Sequence, residues 1–169
     1  MNELGTAVSH GLMDGIALSA ALGLVIVVSL YFNARLWLHD YPQPMQARVP
    51  PLTPRERQLR MVLGLVFFGV LVGGLALGVN ALERALGGTI SFLYAFIYCL
   101  LVLNLFNLFD AVVLDYLLLA RMKPAFAILP GTEDLVGLFD DRRMHLVNCA
   151  KGLIFCLVGS LFVALLAAL

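Results

Sequence analysis

The sequence predicts an all-α integral membrane protein, an antiparallel bundle of four transmembrane helices whose ends extend into the cytoplasm. Of its 169 residues, 62% are hydrophobic and 13% are charged, whereas soluble domains are about half apolar and about a quarter charged. The apolar residues form long uncharged runs, and all seven prolines lie outside those runs. The bilayer is therefore the expected solvent of this chain.

Four runs contain no Asp, Glu, Lys, Arg or His: residues 15–32, 61–79, 90–109 and 152–169. Crossing about 30 Å of hydrocarbon takes ~20 helical residues, and unpaired backbone amides are costly in lipid, so each run should be helical. With their flanks, the runs predict transmembrane helices over about residues 12–35, 56–85, 89–120 and 144–169, in a single domain spanning residues 1–169. Short and moderate connectors favour consecutive helices as neighbours.

The distribution of Lys and Arg predicts the orientation. Ten of the eleven basic residues lie in or beside connectors 36–55 and 121–143, and only Arg84 lies between the second and third helices. Because short basic loops stay in the cytoplasm, both connectors should be cytoplasmic. The protein should be integral to the cytoplasmic (inner) membrane, with both termini on its outer side. Residues 1–10 contain no Lys or Arg, so we expect the first run to remain as an anchor.

The first connector is predicted to combine an extended segment with a helix start. Residues 41–51 are too rich in proline for a helix and should be extended. Thr53 can then cap the second helix, Pro54 suits its first position, and Glu56 completes a capping box. The second helix should therefore begin well before the bilayer does.

The second connector is predicted to contain a turn and a short helix. Pro130 and Gly131 indicate the turn, and Thr132 with two following acids is typical of a helix start. The helix would run to about Asp140. We expect its apolar residues to cover the cytoplasmic end of the bundle in preference to lipid headgroups.

Polar residues on the third helix are the clearest functional signal in the sequence. Four of them fall within an arc of about 140° at ~100° per residue: Asn104, Asn107, Asp110 and Asp115. The third helix should continue below the bilayer to about Ala120, which places Asp115 in a cytoplasmic extension. Polar groups in a membrane helix are costly and usually face the protein interior or a watery cavity. The arc therefore predicts a ligand site or pathway.

Helical rise places other charged residues at the same depth. At ~1.5 Å per residue, Asp110 and Lys151 are nearly level at the cytoplasmic edge of the hydrocarbon, with Arg60 and Arg35 in the same layer. The alternative interpretation of the arc is structural, an ion pair from Asp110 or Asp115 to one of these basic residues. His39 and His145 would lie just below this layer. The candidate ligand-binding residues are therefore the four residues of the arc and five residues near its cytoplasmic end: Asn104, Asn107, Asp110, Asp115, Lys151, Arg60, Arg35, His39 and His145.

Our leading functional hypothesis is an accessory or lipid/ligand-binding bundle with a polar site at its cytoplasmic face. The basic rim would attract anionic lipid headgroups, and a partner membrane subunit would also fit. A small oligomeric transporter or channel lined by the polar arc is the third hypothesis in order of preference. The lipid bilayer is a partner in either case, and no nucleic-acid partner is expected.

A membrane-embedded enzyme acting on a lipid-linked substrate is the second hypothesis, ranked before the transporter. Its candidate catalytic, acid–base groups are Asp110, Asp115 and His145. Three arginines would hold its phosphate: Arg60, Arg142 and Arg143. The chain contains no Cys-x-x-Cys and no Gly-x-Ser-x-Gly elbow, so no known catalytic motif supports this class.

Small and metal-ligating residues carry weaker signals. The second helix contains consecutive small-xxx-small pairs, which favour contacts within the fold and leave a homo-oligomer open: Gly69, Gly73, Gly74 and Gly78. No spacing among the three histidines supports a metal or haem site, and the sequence names no cofactor. His10 and Asp14, four residues apart, would form a helical pair. The three cysteines are expected to pack in or beside the helices.

Overall fold

Long helices make up most of the computed structural model, which describes residues 2–167. In chain order the helices are α1 (Glu3–Asn33), the short α2 (Gln43–Arg48), α3 (Pro54–Ala85), α4 (Phe92–Phe109) and α5 (Arg142–Ala167). Four of them, α1 and α3 to α5 with their extensions, are long and apolar enough to cross a membrane. The predicted end of the last helix at Leu169 lies outside the described residues.

Side-chain caps fix the starts of two long helices. The Asn2 carboxamide oxygen accepts from the Gly5 amide at 2.9 Å, so α1 begins at Glu3, well before the expected start near residue 12. At α3 the Glu56 amide donates to Thr53 Oγ1 at 3.2 Å, and the Thr53 amide donates to Glu56 Oε2 at 2.8 Å. The capping box expected for the second long helix is therefore confirmed.

The helix that begins as α4 changes its hydrogen-bonding pattern halfway along. Residues Asp110–Met122 continue it as a π-helix, in which each amide bonds to the carbonyl five residues earlier. Lys123 ends it with a left-handed φ of 46°, and its amide donates to the Leu118 carbonyl at 3.0 Å. The expected continuation beyond the apolar run is confirmed, but as a wider helix. Single-turn π-helical bulges within α-helices are frequent at functional sites, and this segment is longer than one turn.

The first connector is more helical than its prolines suggested, and the expectation of an extended segment over residues 41–51 is wrong. Residues Ala34–Asp40 form a 3₁₀-helix and Gln43–Arg48 form α2, and extended backbone remains at Tyr41 and Val49, beside α2. Pro42 and Pro44 lie at the start of α2. The first turn of a helix has no partner for its amides, so a missing N–H is tolerated there.

The second connector folds over one end of the helices, as its apolar pattern predicted. Its segment Glu133–Asp140 is a 3₁₀-helix, and Phe139 is buried with its ring centroid 5.7 Å from that of Tyr41. The Tyr41 hydroxyl donates to the Ala127 carbonyl at 2.6 Å. Burial raises the pKa of Tyr41 above its ordinary value, so the hydroxyl remains protonated and keeps this bond. We call residues 124–141 the cover.

Two exposed ion pairs tie the cover to the rest of the chain, and they make its docking sensitive to acid. Arg48 pairs with Asp134, and Lys123 Nζ lies 2.7 Å from Asp140 Oδ2. The bond from Arg48 lowers the pKa of Asp134, and the bond from Lys123 lowers that of Asp140. A carboxyl with a lowered folded-state pKa stabilises the fold above its unfolded pKa of about 3.9 and loses that contribution as the pH falls.

We therefore expect amide hydrogen exchange in Glu133–Asp140, corrected for intrinsic rate, to accelerate as the pH falls through about 4. The same amides should exchange equally slowly at pH 6 and pH 8. The double variant Asp134→Asn, Asp140→Asn should exchange fast at neutral pH and lose the acid response. An acid response that persists in the double variant would show that other carboxyls hold the cover.

Helix α4 lies at the centre of the helical arrangement. Its most extensive contacts are with α1 on one side and α5 on the other, and α3 packs mainly on α1. Gly11 faces Leu101 and Gly23 faces Phe109, so α1 and α4 run in the same direction. The expectation that neighbours in space are consecutive in sequence is wrong for this pair. Glycines on α1 let it approach α4 closely, whereas most of α3 carries large exposed side chains.

Polar and charged groups concentrate where α1 ends, α3 and α5 begin, and α4 continues as the π-helix. We call this the charged end. Above it, the outward surfaces of the long helices are apolar: Phe68 is 63% exposed and Phe155 is 77% exposed. Apolar patches as extensive as these require a nonpolar environment or a partner. The charged end therefore lies at the border of the apolar surface.

Candidate functional site

An arginine at the end of α1 joins three parts of the charged end. Arg35 Nε lies 2.7 Å from Glu56 Oε1, and Arg35 Nη2 donates to the carbonyls of Pro50 and Pro51 at 3.0 and 3.2 Å. Asn33 Nδ2 donates to the same Glu56 oxygen at 3.4 Å. Arg35 was a predicted site residue, but every one of these contacts is internal. Its role is to clamp the start of α3 onto the end of α1.

Asp115 and His145 meet between the π-helix and α5. His145 Nε2 donates to the Phe139 carbonyl at 2.6 Å, so in the neutral ring Nδ1 carries the lone pair. Nδ1 is buried without a hydrogen-bond partner in residues 2–167, and it faces Asp115 Oδ2 at 3.5 Å. A lone pair facing a carboxylate is repulsive, so the arrangement requires one proton on the imidazole or on Asp115.

Asp110 lies within the electrostatic influence of two other carboxylates, Asp115 and Asp40. Within the described residues none of the three pairs with Lys151, which is exposed on α5. The ion pair expected from Asp110 or Asp115 to Lys151, Arg60 or Arg35 is therefore absent from residues 2–167. Asp110 and Asp115 are half-buried and Asp40 is exposed. Acids without such partners retain an attraction for external cations and hydrogen-bond donors.

The two asparagines of the predicted arc are occupied by backbone contacts. Asn104 Nδ2 donates to the Leu100 carbonyl of its own helix at 2.8 Å. Asn107 Nδ2 donates to the Cys149 carbonyl on α5 at 3.3 Å, and its side chain fills the space above Gly152. Asn107 therefore joins α4 to α5. The arc does not act as one surface, because its upper half makes structural contacts and its lower half lies in the π-helix.

A cavity of about 220 Å³ opens beside the His145–Asp115 pair. We call it the arginine cavity, and its lining residues are Tyr116, Ala120, Arg121, Asp140, Arg142 and His145. Arg121 donates from Nε and Nη2 to the Tyr116 hydroxyl at 3.0 and 2.8 Å. In residues 2–167, neither Arg121 nor Arg142 forms an ion pair with a carboxylate. Asp140, already paired with Lys123, is the one acid among the lining residues that the structure describes, so the two arginines leave the cavity with excess positive charge.

Tyr116 and Arg121 were not among the residues that the sequence pointed to. They are five residues apart, which separates them by about 140° on an α-helix. In a π-helix a separation of five residues is the hydrogen-bonded repeat and brings them to one side. Asp110 and Asp115 have the same separation. A hydrophobic pattern read with an α-helical period could not find this grouping.

A second cavity, of about 200 Å³, lies where the end of α1 meets the start of α3. We call it the α1–α3 cavity, and its lining residues are Leu36, Trp37, Asp40, Arg60, Leu63, Gly64, Phe67 and Phe68. Arg60, a predicted site residue, is found here. His39 is exposed and lines neither cavity, and its carbonyl accepts from Gln46 Nε2 at 3.2 Å. The predicted residues are therefore divided between two places.

The opposite end of the helices carries one polar contact that the sequence assigned differently. The Tyr98 hydroxyl on α4 donates to Asp14 Oδ2 on α1 at 2.9 Å, and Tyr98 is fully buried. Asp14 therefore bonds to another helix, and the expected pairing with His10 is not formed within residues 2–167. Gly78 of α3 lies against this bond.

Between Asn2 and Ala167, no group of three or more His, Cys, Asp or Glu side chains is placed to hold a metal ion. No protein-family model, curated protein or solved structure matches the chain. Any functional conclusion therefore depends on the two cavities and their charges.

Proposed function

We propose that this protein crosses the inner membrane as a four-helix bundle in which consecutive long helices run in opposite directions, and that it binds an anionic phospholipid headgroup at its charged end, in the arginine cavity. The charged end would face the cytoplasm, with both termini outside, as the Lys and Arg distribution favours. The observation that carries the proposal is the pair of arginines, Arg121 and Arg142, that line one cavity without carboxylate partners in residues 2–167.

The donor geometry of the cavity suits a phosphate. A guanidinium presents paired N–H groups that match two phosphate oxygens. The Tyr116 hydroxyl holds Arg121 in place by accepting two of its hydrogen bonds, which reduces the entropy lost on binding. Tyr116 and Leu117, both more than 40% exposed, border the apolar surface on which acyl chains would lie.

Binding is better supported than catalysis by the same residues. Nε2 of His145 is held by the Phe139 carbonyl, and Nδ1 is buried facing Asp115. A general acid or base must reach its substrate within about 3 Å or through one water. The enzyme hypothesis would need the cover to move before His145 could act. The transporter hypothesis loses its lining, because Asn104 and Asn107 bond to backbone carbonyls.

Native mass spectrometry of the protein extracted in mild detergent tests the proposal. We expect phosphatidylglycerol to be retained over phosphatidylcholine, and the double variant Arg121→Gln, Arg142→Gln to reduce that retention about tenfold or more, since a hydrogen bond to a charged group contributes about 1.5–3 kcal/mol. The matched control is Arg57→Gln, Arg143→Gln, which removes the same charge from two exposed arginines outside the cavity.

Equal losses in the two double variants would mean that only the general positive charge attracts lipid, and the arginine cavity would not be a site. Retention of neither lipid by the parent protein would also contradict the proposal. Each variant should be compared at the same ionic strength, because salt screens attraction between exposed charges.

A further inference from the structure

The α1–α3 cavity has charges of both signs at its mouth. Asp40 lies within the electrostatic influence of Arg60, yet in residues 2–167 the two do not form a direct ion pair. A carboxylate and a guanidinium on either side of a cavity complement a ligand that carries both a positive and a negative group. Such a ligand would place its anion against Arg60 and its cation against Asp40.

Charge around Asp40 favours a cation on that side. Asp110 and Asp115, on the π-helix, are two further carboxylates within the electrostatic influence of Asp40. The positive group that opposes this excess is Arg60, on α3. The neighbouring His39 contributes positive charge only when protonated. The local excess of carboxylates therefore attracts an ammonium group and disfavours a purely anionic ligand.

The rest of the cavity is apolar and runs along α3 away from the charged mouth. Leu63, Gly64, Phe67 and Phe68 lie three to eight residues beyond Arg60, which is about 4–12 Å at ~1.5 Å per residue. A Cβ placed on Gly64 would meet nothing within 4 Å, so open space begins at its backbone. Trp37 offers only its ring, because its Nε1 donates to Ser29 Oγ at 2.8 Å.

From this arrangement we propose that the α1–α3 cavity binds phosphatidylethanolamine, with the phosphate at Arg60, the ammonium at Asp40 and an acyl chain beside Gly64. This inference rests on the proposed insertion in a bilayer but concerns a different site and a different lipid from the arginine cavity. A primary ammonium donates up to three hydrogen bonds. The trimethylated ammonium of phosphatidylcholine donates none, and phosphatidylglycerol has no cation for Asp40.

Competition between lipids in native mass spectrometry tests the inference. With equal amounts of the three lipids present, the parent protein should retain phosphatidylethanolamine about tenfold over phosphatidylcholine, the ratio expected from one charged hydrogen bond. Asp40→Asn should reduce that ratio toward one. Gly64→Leu should block phosphatidylethanolamine retention by filling the chain groove while leaving every charge in place.

Gly69→Leu is the matched control for Gly64→Leu. Gly69 is also on α3, and a Cβ there also meets nothing within 4 Å, but Gly69 does not line the cavity. The Gly69→Leu variant gains the same helix propensity and apolar bulk as Gly64→Leu but does not fill the cavity. Its lipid retention should therefore equal that of the parent protein. Equal behaviour of the two glycine variants, or equal retention of ethanolamine and choline lipids by the parent, would overturn the inference.

These variants test the two proposed lipid sites independently of each other. Gly64→Leu should leave phosphatidylglycerol retention unchanged, and the variant Arg121→Gln, Arg142→Gln should leave phosphatidylethanolamine retention unchanged. Loss of both lipids in both variants would show one continuous, nonselective lipid surface and would overturn the inference.

Discussion

Replacing Gly78 with leucine will prevent α1, α3 and α4 from packing as they do in the native protein. A Cβ at this position would overlap the Tyr98 hydroxyl and would also crowd Asp14. Tyr98 is fully buried and bonded to Asp14 across the helices, so neither group can move aside cheaply. Overpacking of a core costs about 1–3 kcal/mol or more, and the broken Tyr98–Asp14 bond adds about 1–3 kcal/mol.

Thermal unfolding of the purified protein in mild detergent would measure this effect. Gly73→Leu is the control, because a Cβ at Gly73 meets nothing within 4 Å although the residue lies on the same helix. It should leave the melting temperature unchanged or raise it. The double variant Gly78→Ala, Tyr98→Phe should recover part of the stability lost in Gly78→Ala. A Gly78→Leu protein as stable as Gly73→Leu would contradict the packing described for this end.

The second large effect is expected from Arg35→Met. The substitution keeps the apolar stem but removes the bonds to Glu56 and to the carbonyls of Pro50 and Pro51. Glu56 would remain mostly buried, with its side chain 14% exposed, beside polar groups that have lost their donor. Breaking charged hydrogen bonds in such a place costs about 2–3 kcal/mol, and α3 would no longer be held at its first turn.

The free energy of unfolding, measured in the same detergent, should fall in the order parent, Arg35→Lys, Arg35→Met. Lysine keeps the charge but cannot reproduce the fork that reaches a carboxylate and two carbonyls together. Arg57→Met, an exposed arginine on the same turn of α3 as Glu56, should change little. If Arg35→Met were no more destabilised than Arg57→Met, the clamp would contribute nothing to stability.

The positions of the long helices depend on local sequence features and could therefore be predicted. Uncharged runs and the Thr53–Glu56 spacing identify helices without knowledge of their neighbours. The prolines of the first connector were misleading, because Pro42 and Pro44 are as compatible with a helix start as with an extended chain. Only the packing of Met45 and Tyr41 beneath the cover selects the helical alternative.

The candidate site was found only in part, since its grouping depends on the π-helix. Asp115 and His145 were recognised as polar groups in the right layer, and the structure brings them together. Lys151 was expected to lie level with Asp110, but it is exposed on α5 and forms no ion pair with Asp110 or Asp115 in residues 2–167. Depth follows from helical rise alone, whereas rotation is set by packing partners such as Asn107 and Gly152. The sequence gives no direct measure of those partners.

The central position of α4 also has a consequence for the order in which the protein is built. A ribosome releases α1 and α3 before α4, so the first helical pair emerges without the partner that contacts α1 most extensively. The glycine-lined face of α1, with Gly11, Gly15 and Gly23, is covered only after α4, the third long helix, has been synthesised. Nascent chains arrested before residue 92 should therefore be open to proteases and chaperones, and those arrested after α4 should be largely protected.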